Sequence, residues 1–68
     1  MPFKENVEAA AGRIADFLKD KEEANSWQIK VNLHLSSSLM FMALGMLVAA
    51  GKITAEPDGL NYKITKVK

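Results

Sequence analysis

The sequence predicts an α+β domain in which three helices are followed by a C-terminal β-hairpin. Three observations predict it. Apolar residues recur at helical spacing over 7–18 and again over 40–47. Capping residues flank a short turn at 34–36, between the second and third helices. Beyond Gly51, two stretches of strand-forming residues flank Pro57-Asp58-Gly59.

The first helix rests on Val7, Ala10, Ala11, Ile14, Phe17 and Leu18, which fall on one apolar stripe at spacings of three and four. Glu5 and Glu8 near its start, and Lys19 and Lys21 near its end, agree in sign with the helix dipole. Gly12 costs about 1 kcal/mol of helix propensity relative to alanine, so a close crossing by another helix is expected there. The segment from Asp20 to Asn25 reads as a polar connection.

Asn25 or Ser26 can cap the second helix, and Gln28 stands three residues after Asn25 in capping-box spacing. Trp27, Val31 and Ile29 are its candidate core residues, and it ends near Leu33. His34-Leu35-Ser36 forms the turn. Ser36 caps the third helix, with Leu35 and Met40 placed as a hydrophobic staple. This helix runs to about Ala50, and Gly51 ends it in the left-handed conformation. Lys52 to Glu56 and Leu60 to Val67 are the two strands, with Leu60, Tyr62 and Ile64 on the buried face of the second. Helix, helix, turn, helix, hairpin is the order of a three-helix winged helix-turn-helix with a C-terminal β-hairpin wing.

The tract Ala43-Leu44-Gly45-Met46-Leu47-Val48-Ala49-Ala50-Gly51-Lys52-Ile53 resembles a small bacterial winged helix-turn-helix family catalogued as a domain of unknown function. Ala11-Gly12-Arg13-Ile14 with Leu18 is similar to that family's first helix, and the likeness spans roughly residues 6 to 65. Met46 stands where the family usually has tryptophan, and Val48-Ala49-Ala50 is less charged than in relatives. The resemblance implies a fold and no activity, since the family has no established one.

Composition limits the functions open to the chain. Its 68 residues make a single domain, 1–68. A chain this short buries only about 60% of its unfolded surface, and its core supplies about 3–5 kcal/mol, so a partner is a natural source of further stability. It has no cysteine, which excludes disulfides and thiolate metal sites. The opening Met1-Pro2-Phe3-Lys4 lacks the apolar run of a secretory signal, and the longest apolar run, Leu39 to Ala50, is 12 residues against the ~20 needed to span a bilayer. A cytoplasmic protein without a membrane association is expected.

Net charge is +1, divided as −2 over residues 1–25 (four basic, six acidic) and +3 over residues 26–68 (five basic, two acidic). The positive part is Lys30, Lys52, Lys63, Lys66 and Lys68, a weaker patch than nucleic-acid-binding domains carry. From Val31 to Gly51 there are 21 residues without a formal charge. The third helix therefore offers no arginine or lysine for phosphates or base edges.

At 100° per residue, Met40, Ala43, Leu44 and Leu47 form the inward stripe of that helix. The opposite side collects Ser38, Met42, Gly45 and Ala49, flanked by Phe41 and Met46. Spacings of four, three and four suit a helix–helix seam, and an exposed apolar patch of this size marks an interface. The expected partner is a second copy of the chain, with the helices antiparallel near Gly45, or another protein. Cover by the chain's own C-terminal strand or N-terminal segment is the competing expectation. The alternative function is DNA binding through Lys30, His34, Ser37, Ser38, Lys52, Lys63 and Lys66. No catalytic residue, cofactor or metal site is expected. A lone histidine makes no metal site, and Ser36-Ser37-Ser38 lacks both a base and the glycine elbow of a nucleophile. Asp16 and Asp20 alone are too few for a cation site.

Overall fold

The computed structural model describes residues 3–67; Met1, Pro2 and Lys68 lie outside it, as do the side chains of Phe3, Lys4 and Glu5. Helix α1 (Phe3–Leu18) is followed by strand β1 (Glu23–Asn25), helices α2 (Ser26–Leu33) and α3 (Ser37–Ala49), then strands β2 (Ile53–Asp58) and β3 (Asn61–Lys66). The fold is α+β with a β-hairpin after three helices, the arrangement of a winged helix. Helices α2 and α3 meet at 119°, within the range of a helix-turn-helix.

Local chemistry sets the helix ends as expected. The Gln28 N–H donates to Asn25 Oδ1 at 2.7 Å, and the Asn25 N–H donates to Gln28 Oε1 at 3.0 Å, completing the capping box. Ser36 Oγ accepts from the Leu39 N–H and caps α3. The far end of α3 closes with a Schellman motif. Lys52 N–H donates to Leu47 O and Gly51 N–H to Val48 O, both at 3.0 Å, with Gly51 at φ 74°. His34 ends α2 in the left-handed region, and Arg13 of α1 donates to the Leu33 carbonyl at 2.8 Å.

The core joins the stripe of α1 to that of α3. Val7, Ala10, Ala11, Ile14 and Leu18 pack with Met40, Ala43, Leu44 and Leu47, and Ile29, Leu35, Ile53 and Ile64 complete the cluster. Phe17 is only partly buried at its edge.

Several expectations are corrected. The polar connection after Asp20 contains β1, an edge strand that pairs antiparallel with β3 and buries Ala24. Three residues are too few to show a strand period; pairing with a distant strand creates this one. In α2 the core residue is Ile29, together with Ser26, while Trp27 and Val31 face solvent. The reason is positional: the Tyr62 N–H of β3 donates to Ser26 Oγ at 3.0 Å, which turns the Ser26 side of α2 toward the sheet. Gly12 is exposed with open space where a Cβ would stand, so no helix crosses closely there.

In the hairpin, Pro57 and Asp58 belong to β2, not to the turn. Asp58 pairs with Asn61, leaving Gly59-Leu60 as a two-residue loop. Gly59 has φ 66° and Leu60 does not have a positive φ, the pattern of a type II′ turn. Proline is tolerated because β2 is an edge strand in the order β1-β3-β2. Leu60, placed by alternation on the buried face, is fully exposed at the tip, and Tyr62 is exposed over two-fifths of its surface; Ile64 alone of the three is buried.

Candidate interaction surface

The third helix has two faces of different fate. Its inward stripe is buried as its periodicity required. Its outward side keeps large apolar side chains in solvent: Phe41, Met42, Met46 and Val48 are 37–51% exposed. Ser38, Gly45 and Ala49 are exposed between them. A Cβ at Gly45 would meet no atom within 4 Å.

The hairpin leans against one flank of this face without closing it. The Phe41 ring meets the Tyr62 ring edge-on at 5.7 Å. Beside that contact, Phe41, Leu44, Gly45, Val48 and Ala49 of α3 face Ala55, Tyr62 and Ile64 of the sheet across an apolar groove of about 380 Å³. Small residues make it: Gly45 and Ala49 on the helix and Ala55 on β2 leave space that larger side chains would fill. Of the six residues expected at the interface, Phe41, Gly45 and Ala49 line this groove; Ser38, Met42 and Met46 do not. The helical phase puts Met42 and Met46 beyond the Gly45–Ala49 ridge.

A second, smaller groove of about 180 Å³ lies between α2, α3 and the hairpin tip. Trp27, Lys30, Ser37, Phe41 and Leu60 are among the residues that line it. Phe41 borders both grooves, so the two adjoin; Ser26, Lys30, Ser37 and Asn61 make the second one mixed in polarity. Sequence periodicity did not single out Trp27, Ala55, Leu60 or Tyr62 for this surface. Leu60 was missed because the sequence places the turn at Pro57-Asp58-Gly59 and Leu60 at the start of the second strand.

The candidate nucleic-acid residues are dispersed. Lys30 and Ser37 share the second groove. Lys52 lies at the far end of α3 and, with Lys66, borders a separate cavity beside Leu18 and Leu47. Lys66 Nζ is committed to the Lys19 carbonyl at 2.9 Å, at the C-terminal end of α1. Lys63 Nζ pairs with Glu23 at 3.0 Å. The Glu23 hydrogen bond and charge, with smaller contributions from Glu56 and Asp58, hold its ammonium above the ordinary lysine value. The wing therefore carries its own counter-charges. His34 and Ser38 are exposed, but nothing in the structure links them to these lysines in a common cleft.

Among the described residues no group of three or more His, Cys, Asp or Glu side chains could hold a metal ion. No single described helix is long and apolar enough to cross a membrane. No family model, curated protein or solved structure matches the chain.

Proposed function

We propose that this chain is a non-enzymatic winged-helix interaction module that associates with a second copy of itself through the exposed face of α3. The observation that carries the reading is the outward side of α3, uncharged from Ser37 to Ala49 and holding four large apolar side chains in solvent. In a fold whose third helix commonly enters a DNA groove, this helix has no cation to offer the phosphates. Burying it against its own copy desolvates no charge, and a two-fold axis requires only one self-complementary patch.

Sedimentation velocity tests the proposal. The expected result is a dimer at tens of micromolar. Gly45→Glu should give a folded monomer, since the Cβ position is open but two carboxylates would face the interface. Lys63→Glu, on the wing, should leave the mass unchanged. A wild-type chain that sediments as a monomer at hundreds of micromolar would overturn the proposal.

DNA binding is the second reading, favoured by Lys30 and Ser37 sharing one groove at the start of α3. It would rest chiefly on Lys30 and Lys52, because Lys63 and Lys66 are engaged within the chain.

A further inference from the structure

We infer that the two copies interlock: Leu60 at the hairpin tip of each seats in the groove of the other formed by Phe41, Gly45, Val48, Ala49, Ala55 and Tyr62. The inference rests on the self-association reading and adds which parts of the surface meet.

Leu60 is the most exposed large apolar residue described, at 103% of its reference area. Its own fold gives it no role. The II′ geometry asks for glycine at the first loop position, met by Gly59 at φ 66°, and places no demand for a leucine at the second. The core does not use it either. The groove has the converse property: it is apolar, walled by Phe41 and Tyr62, and left open by Gly45, Ala49 and Ala55. One feature is a knob without a hole, and the other is a hole without a knob.

Two-fold symmetry pairs them. In an isologous contact, residue i of one copy meets residue j of the other, and j meets i. Leu60 and the groove both adjoin Phe41, which borders the two grooves. An axis running past Phe41 exchanges the tip and the groove and brings Phe41 near its own copy. The available area fits. Trp27, Phe41, Met42, Val48, Leu60 and Tyr62 together expose on the order of 700 Å² per copy, against the ~800 Å² per partner of a standard specific interface. None of these six side chains carries a charge, although Lys30 lines the second groove beside Trp27 and Leu60.

The absence of native cysteine permits a direct test. Leu60→Cys protein is mixed with Ala49→Cys protein under mild oxidation, and disulfide-linked species are followed by mass. Bridging needs Cα atoms within about 7 Å. The expected result is a linked pair containing one of each, forming at least tenfold faster than linkage within either variant alone. Leu60→Asp should weaken self-association at least tenfold. Its melting temperature at dilutions where the chain is monomeric should not move, because Leu60 makes no core contact. If Gly45→Cys links rapidly to itself while the mixed pair does not, the chain self-associates but the tip does not seat in the groove, and this inference alone falls. A wild-type monomer at hundreds of micromolar, including one that instead partitions onto phosphatidylcholine vesicles, overturns both.

Discussion

The ring of Phe41 on α3 meets the ring of Tyr62 on β3 edge-on, with centroids 5.7 Å apart and planes inclined at 72°. This contact sets the hairpin against the outward flank of α3 and so shapes the groove between them. Edge-to-face pairs contribute about 0.5–1.5 kcal/mol beyond the area they bury. A double-mutant cycle of Phe41→Leu and Tyr62→Leu, measured by urea unfolding of dilute protein, should return a coupling of that size. Additive effects would mean that the two rings do not hold the hairpin in place.

Leu44 is buried in the core beneath the groove. Leu44→Ala should cost about 2–5 kcal/mol, which in a domain of this size lowers the melting temperature by at least about 10 °C. Met42→Ala, two residues away on the opposite face and half exposed, should stay within about 0.5 kcal/mol of wild type in monomer stability. A calorimetric scan of both variants separates the inward face of α3 from the outward one.

Lys63 is held above the ordinary lysine value of 10.5, chiefly by its hydrogen bond to Glu23 and then by that carboxylate's charge. A raised pKa in the folded state means that the charged form is favoured by folding. The contribution is therefore complete below the unfolded lysine value and disappears as pH rises through the folded one. At neutral pH, below that range, the contribution is intact. An NMR titration of the Lys63 side chain should show its midpoint falling in Glu23→Gln. Because the pair is exposed, the difference should shrink in high salt.

Binding to random duplex DNA should be weak and shallow in its salt response. With Lys30 and Lys52 as the two candidate contact lysines not engaged by Glu23 or the Lys19 carbonyl, the slope of log affinity against log salt should be about −2. Fluorescence anisotropy across a salt series measures it. A nanomolar, sequence-selective complex at physiological salt would instead assign α3 a role in reading DNA.

Much of this molecule was determined within short stretches of sequence. The Asn25–Gln28 box, the Ser36 cap, the Gly51 terminus and the inward stripe Met40, Ala43, Leu44 and Leu47 all depend on neighbours a few residues away, and all stand as their spacing required. So does the outward apolar side of α3, since a helix that turns one face to the core must turn the other away.

Tertiary structure decided the rest. Strand β1 exists only because Ala24 pairs beside Ile64, far along the chain. Ser26 and Ile29 face inward, and Trp27 outward, because a backbone N–H from a strand 36 residues away takes Ser26 as its acceptor. The groove arises only where Ala55 and Tyr62 come to lie beside Gly45. Helix periods and caps are short-range interactions, readable along the chain. The face an eight-residue helix buries, the pairing of a three-residue strand and the exposure of a hairpin tip are set by long-range contacts, which local residue order does not encode.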